Sequence, residues 1–229
     1  MTAFFDAFEA AVFDLDGTLI DSMHLWENLC GDWLSSLDKK AEPALERNLM
    51  TMNMAQIAAY VKDHYGLDFS REEIVAQWGD IMKARYLKGA SLKQGTRELL
   101  RALSQKGFKL GIATYSFPNS CEAIIEHHGI RSYFSSFIYA YEFEEISILT
   151  SGFTSVKKDP QFWLTAAARL NVAPEKCVVF EDSISYLEGV RAAGMSFAAV
   201  YDPFWGNWPE LRKAADLALD SPGEALKYL

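Results

Sequence analysis

The sequence predicts an α/β fold, doubly wound around a parallel sheet, with an all-helical segment inserted near its start. Three observations lead there. Short, continuously apolar runs recur along the chain, stretches of helical periodicity separate them, and residues 22 to about 90 break the alternation with helical patterns alone. Runs that are apolar at every position suit strands covered on both faces, as in parallel sheets. Alternating strand and helix is the signature of a doubly wound sheet.

The first strand is expected at 10–15, "AAVFDL". Others follow at 108–113 "FKLGIA", 136–141 "SFIYAY", 177–180 "CVVF", 196–201 "SFAAVY" and 216–219 "DLAL". In the inserted segment, Leu25, Leu29, Trp33 and Leu37 recur every four residues as one helical stripe. Met54, Ile57, Ala58 and Val61 form a second, stopping near Gly66. Ser70 with Glu73 makes a capping box for a third, which carries Ile74, Trp78, Ile81 and Met82. The chain returns to the sheet near 91–95. Thr96 then precedes a helix holding Leu99, Leu100 and Leu103, and Gly107 stops it. Pro118 opens a helix that Gly129 closes, Asp159-Pro160 starts one running to about Leu170, and Ser183 caps one ending at Gly194. The mixed segment 142–157 is expected to be an extended loop or hairpin. The resulting domains are a core of 1–20 with 91–229, and a helical domain of 21–90.

With 229 residues, half of them hydrophobic, the chain has enough apolar surface for one large domain with a modest insertion. Its net charge of −9, without a run of Lys or Arg, argues against a nucleic-acid surface. It leaves room for a small phosphorylated molecule, which needs only a few local donors. Asp6, Glu9 and the lack of a basic start argue against a secretory signal, and no uncharged stretch reaches the length of a membrane span. Cys30, Cys121 and Cys177 are scattered and without CxxC spacing, which suits a reducing cytoplasm. The adjacent His127 and His128 point different ways on a helix, so they are expected at the surface or a helix end rather than on a metal.

Ligands of open α/β sheets bind beyond the carboxyl ends of the strands. Strand one ends in Asp14-Leu15-Asp16-Gly17-Thr18, strand two in Thr114 and strand four in Glu181-Asp182-Ser183. Lys157 and Lys158 lie in the loop preceding the helix at Pro160. Two carboxylates as close as Asp14 and Asp16 repel each other, and burying them is costly without a counter-charge. Converging carboxylates form a hard-oxygen site suited to Mg2+, while a hydroxyl and an ammonium hold phosphoryl oxygens.

Four stretches in order, "FDLDGTLIDS", "GIATYS", "VKKDPQFW" and "VVFEDSISYLEGVRAAGM", resemble the motifs of the haloacid dehalogenase superfamily, in its phosphatase branch with a helical cap after the first motif, the β-phosphoglucomutase-like group. The third departs from the family pattern, with Val156 and Lys158 in place of a glycine and a proline, so Lys157 and Lys158 both stand as the motif lysine. The resemblance implies a Rossmann-like core and a Mg2+-dependent phosphomonoester hydrolase acting on a small metabolite, such as a sugar phosphate, through an aspartyl-phosphate. It implies Asp14 as nucleophile and Asp16 as general acid and then base. It places the metal on Asp14, Asp16 (through its main-chain carbonyl), Asp182 and Glu181, and the phosphoryl oxygens on Thr114 and Lys157. Thr18 and Asp21 would shape the turn into the cap. A cytoplasmic monomer or weak homodimer, with no nucleic-acid or membrane partner, is the corresponding expectation.

Two other readings share this chemistry. Mutases similar to β-phosphoglucomutase usually place a histidine where Trp26 stands; His24 is out of register, and "ERNLMTMNMAQ" offers Arg47 but no glycine. A phosphate-accepting signalling domain is about half this length and lacks the helical insertion. Ser22, His24, Trp26, Arg47 and 50–54 are candidate substrate contacts, and Trp205 and Trp208 in "YDPFWGNWPE" are expected on the site's side of the sheet.

Overall fold

The computed structural model describes residues 3–49, 52–143 and 155–229. Met50 and residues 144–154 of the 142–157 segment lie outside the described residues. Among the described residues eight strands are present: β1 (Ala10–Phe13), β2 (Ile20–Asp21), β3 (Ser91–Leu92), β4 (Lys109–Thr114), β5 (Phe134–Tyr139), β6 (Cys177–Glu181), β7 (Ser196–Val200) and β8 (Leu217–Leu219). Six of them form one sheet in the order β5-β4-β1-β6-β7-β8, and every pairing in it is parallel.

The side chains of β1 explain its unbroken apolar run. Ala11 and Phe13 join a core with Leu99, Leu100 and Ile124, whereas Ala10 and Val12 join a second core with Phe162, Trp163 and Val190. Successive residues of a strand face opposite sides, so both faces of the sheet are covered. The covering helices are α5 (Thr96–Gln105), α6 (Pro118–His127), α7 (Pro160–Leu170), α8 (Leu187–Ala192) and α9 (Trp208–Ala214).

Between β2 and β3 lie four further helices: α1 (Leu29–Ser36), α2 (Leu45–Leu49), α3 (Met54–Tyr65) and α4 (Arg71–Gly89). The Ser70–Glu73 capping box is present, and Asn53 with Gln56 forms another at the start of α3. Gly66 ends α3 with φ +59°, a left-handed conformation that glycine adopts without strain. Trp33 and Trp78 meet edge to face at 5.5 Å inside this bundle. Helix α4 packs on α6 of the core; a Cβ at Gly79 would lie 2.6 Å from Asn119 Oδ1, so a larger residue would push the two apart.

The structure differs from expectation at several ends. β1 stops at Phe13 rather than Leu15, because the Leu15 carbonyl turns to accept the N–H groups of Thr18, Leu19 and Ile20. Gly95 is the N-cap of α5, which places Thr96 inside the helix. Ser183 caps a 3-10 turn, Ile184–Tyr186, that leads into α8. The short α2, the β2–β3 ribbon and α9 were not anticipated. Cys30, Cys121 and Cys177 are buried and form no disulfide among the described residues, His127 is the last residue of α6, and His128 caps it. Among the described residues no helix is long and apolar enough to cross a membrane.

Candidate active site

Parallel pairing of β1 with β6 sets Phe13 beside Phe180, so the residues that follow, Asp14 and Glu181, emerge together at the carboxyl edge of the sheet. Asp14, Glu181 and Asp182 are all buried, and each offers an oxygen within 4.8 Å of the others. The Lys157 ammonium pairs with Asp14 and, at 3.0 Å, with Glu181. Lys157 is 1% exposed. Burial alone would lower its pKa, but the carboxylates of Asp14 and Glu181 outweigh burial and raise it, so the ammonium stays charged.

One ammonium, paired with two of them, thus offsets a cluster of three buried carboxylates. Burial raises the Asp14 carboxyl well above the ordinary value of 3.8, with Lys157 opposing and Glu181 and Asp16 adding to the rise. Burial, then Glu181, raises Asp182 likewise. The excess negative charge and the all-oxygen donor set fit a hard divalent cation such as Mg2+.

A carboxyl whose pKa is higher in the fold than in the unfolded chain stabilises the fold below the unfolded value and loses that contribution as pH rises through the folded one. Asp14 and Asp182 therefore cost the metal-free fold stability as pH climbs from 3.8. A cation competes with the protons they hold. The rise in Tm on adding Mg2+ is expected to be larger at pH 8 than at pH 5, and equal shifts at both would break this link.

Asp182 also accepts the Trp205 indole N–H at 2.7 Å. It sits hard against the turn of the first loop, where Gly17 has φ +75° and a Cβ would lie 2.0 Å from Asp182 Oδ2. Both the conformation and the space call for glycine there. Gly17→Ala is expected to cost about 1–3 kcal/mol in urea unfolding and to weaken Mg2+ binding in a titration. Normal stability and affinity would show that the loop yields freely.

The two lysines are placed differently. Lys157 enters the site, and Lys158 is exposed. The Trp163 indole donates to the Lys157 carbonyl at 2.7 Å. Gly189 of α8 passes so close that a Cβ would lie 2.6 Å from the Lys157 carbonyl oxygen. The rings of Tyr115, Trp163 and Tyr186 surround the ammonium at 5.2–5.8 Å, where ring faces attract a cation.

Asp16 lies apart from that cluster. Its Oδ1 accepts the hydroxyls of Ser22, at 2.6 Å, and of Tyr86, and its Oδ2 accepts Ser116. Tyr86 and Ser116 are themselves 2.8 Å apart. Burial and the Asp16 charge hold the Tyr86 phenol well above its usual pKa, so it remains a neutral donor. Ser22 is fully buried and committed to Asp16, so it is a partner of the carboxylate rather than the open cap-side contact expected from sequence. Thr114 ends β4 beside β1, fully buried, and its hydroxyl oxygen accepts the Ser116 N–H at 2.9 Å.

Sequence reasoning missed three supporting residues. Ser116 lies two positions past Thr114 in "GIATYS", a readable signal. Tyr86 reaches Asp16 from 70 positions away on α4, which no local pattern reveals. Lys93 donates to the carbonyls of Gly17 and of Tyr201, the latter at 2.6 Å, and pairs with Asp202 at 2.8 Å. Of the remaining candidates, Trp26 stacks on Phe117 and Trp208 packs near Tyr201, while His24 and Arg47 are not buried. A cleft of about 470 Å³ opens between α3, α4 and the start of α6, with Met54, Val75, Phe117, Asn119 and Tyr141 among its walls.

Comparison with known proteins points to one family. The profile of the haloacid dehalogenase-like hydrolases matches residues 8–194. The chain is 26% identical over 223 residues to a phosphorylated carbohydrates phosphatase of Thermotoga maritima, covering 96% of this chain and 98% of that one. It is 30% identical over 217 residues to hexitol phosphatase B of Escherichia coli, covering 93% and 91%. Among solved structures it is similar to a putative β-phosphoglucomutase of Thermotoga maritima, with TM-score 0.66, 26% identity and coverage of 96% and 97%. It also shares its fold with CbbY of Rhodobacter sphaeroides in complex with phosphate, with TM-score 0.72, 23% identity and coverage of 95% and 96%.

Proposed function

Because the chain belongs to the haloacid dehalogenase-like hydrolases, we propose that it is a Mg2+-dependent phosphatase of small phosphorylated metabolites. The observation that carries this reading is the separate placement of two aspartates two residues apart. Asp14 lies in the buried cluster beside an ammonium, and Asp16 is held outside it by three hydroxyls. Relatives named for hexitol and carbohydrate phosphates point the same way.

In this mechanism an Asp14 carboxylate oxygen attacks phosphorus and the bond from phosphorus to the leaving oxygen breaks. Asp14 attacks in its ionised form, which the Lys157 ammonium favours against burial and a bound cation would favour further, so no separate base is needed. Asp16 gives its proton to the leaving oxygen, then takes one from the water that hydrolyses the aspartyl-phosphate. The hydroxyls of Tyr86 and Ser116 can rotate to follow either charge state of Asp16. Lys157 and Thr114 hold phosphoryl oxygens. A cation held by Asp14, Glu181 and Asp182, with the Asp16 main-chain carbonyl, would neutralise charge on the phosphoryl group. Residues 21–90 act as the cap that closes over the core formed by 1–20 and 91–229, excluding bulk water and large substrates.

The test is release of inorganic phosphate from a panel of sugar phosphates, nucleoside monophosphates and p-nitrophenyl phosphate, with Mg2+ and with EDTA. Release that requires Mg2+ is expected. No release by folded, Mg2+-binding protein would overturn the reading, and isomerisation of β-glucose 1-phosphate would then be the measurement to make. Asp16→Asn adds a sharper check. Alkyl phosphates are expected to lose about 10²–10⁴-fold in kcat, and p-nitrophenyl phosphate much less, because its leaving group departs without a proton. Equal losses on both would remove Asp16 from proton transfer.

A further inference from the structure

The phosphatase reading leaves open the alcohol half of the substrate, and the inserted helices address it. Among them lies a cavity of about 190 Å³, walled by Leu29, Cys30, Leu49, Met54 and Ile57 and by the rings of Trp26 and Trp78. The described residues contribute no carboxylate, amide, hydroxyl or charged side chain to its walls. Trp26 belongs both to this wall and to the surroundings of the donors to Asp16. That ring stacks on Phe117 at 5.9 Å and meets Tyr86 edge-on at 6.4 Å. Tyr86, and Ser116 next to Phe117, are two of the three hydroxyl donors to Asp16. Met54 is shared with the larger cleft between the inserted helices and α6.

A second observation concerns the indoles. The N–H groups of Trp33, Trp163 and Trp205 all have acceptors, at 3.0, 2.7 and 2.7 Å. Those of Trp26 and Trp78 are buried with no acceptor among the described residues. Trp78 is 1% exposed. A buried donor left unpaired is costly, and native structures keep few of them. Both tryptophans line this one cavity.

We infer that the substrate is the phosphate ester of a largely apolar alcohol, ring-sized and carrying one or two acceptor oxygens for Trp26 and Trp78, rather than a polyol. The inference rests on the phosphatase reading above. A polyol would bring several hydroxyls against a wall whose polar groups are two indole N–H donors and the weakly hydrogen-bonding thiol of Cys30, and each hydroxyl left unpaired opposes binding. An apolar cavity of roughly 150 Å³ admits benzene, so about 190 Å³ accommodates a ring with a small substituent.

The experiment compares primary-alcohol phosphates, so that leaving-group reactivity is similar: 2-phenylethyl phosphate, 2-(4-acetylphenyl)ethyl phosphate and a hexitol 6-phosphate. The acetyl-bearing ester is expected to exceed the hexitol ester in kcat/KM by roughly a hundredfold. Trp78→Phe, which keeps a ring but removes the N–H, is expected to raise KM about three- to tenfold more for the acetyl-bearing ester than for the plain one. Trp26→Phe serves the same purpose if that variant does not fold. In parallel, binding of 2-(4-acetylphenyl)ethanol to Asp14→Asn protein is followed by tryptophan fluorescence, which needs no turnover. A preference for the hexitol ester overturns the inference and leaves the phosphatase reading intact. Alcohol binding that weakens in Trp78→Phe, without phosphate release from any ester, overturns the phosphatase reading and keeps the cavity assignment. No alcohol binding overturns the cavity assignment.

Discussion

Asp14→Asn is expected to lose phosphate release by on the order of 10⁴-fold or more, since removing a nucleophile leaves only binding and electrostatics to act. The fold is expected to survive. Asp14 is one of three clustered buried carboxylates, and burial disfavours its charged form. The neutral amide removes a like charge beside Glu181, while Lys157 keeps its contact with Glu181 at 3.0 Å. The metal-free variant is therefore expected to melt at or above the wild-type Tm, and its Tm to rise less with Mg2+ because one oxygen donor has been weakened. Calorimetry with and without Mg2+, beside the phosphate assay, separates lost chemistry from lost structure. A variant that turns over normally would remove Asp14 from the reaction.

Lys157→Met is expected to have the opposite balance, with both activity and stability lost. Removing one partner of a buried ion pair leaves the other charge uncompensated, at a cost of about 3–5 kcal/mol. Here two partners, Asp14 and Glu181, are left facing each other and Asp182. Methionine fills much of the lysine stem's volume, which keeps the loss electrostatic rather than a packing defect. A cation that binds only the folded state stabilises it by mass action, so millimolar Mg2+ is expected to recover part of the lost Tm but not the activity. Lys158→Met, changing an exposed neighbour, is the control and is expected to alter Tm little. If the two variants behave alike, Lys157 does not have the assigned role.

The legibility of this protein follows the range of its interactions. Strands and long helices announce themselves locally: the apolar run of β1 is continuous because both faces are buried, and α4 begins with a capping box that four residues specify. Asp14, Asp16, Thr114, Glu181 and Asp182 were readable because strand ends and motif order place them. What escaped was either too short or too remote. β2 and β3 are two residues each, below the length at which alternation can be seen, and α2 has five. Tyr86 and Lys93 reach the first loop across the insertion, a proximity that packing alone creates. The sequence "VKK" could not say which lysine turns inward; that is decided by the closeness of Gly189 and the Trp163 indole to the Lys157 backbone.

The β2–β3 ribbon has a consequence for how such a protein can change over generations. The chain leaves the sheet and returns to it through two neighbouring residue pairs, Ile20 with Leu92 and Asp21 with Ser91. Everything between is a bud on a narrow stem. Insertions, deletions and wholesale replacement of its helices can accumulate without disturbing a single pairing of the six-stranded sheet. Selection can therefore retune what the pocket accepts while the reacting groups stay where the sheet puts them. Tyr86 is one exception, because it spans the stem to Asp16. It ties the freely drifting part of the molecule to the part that is held fixed.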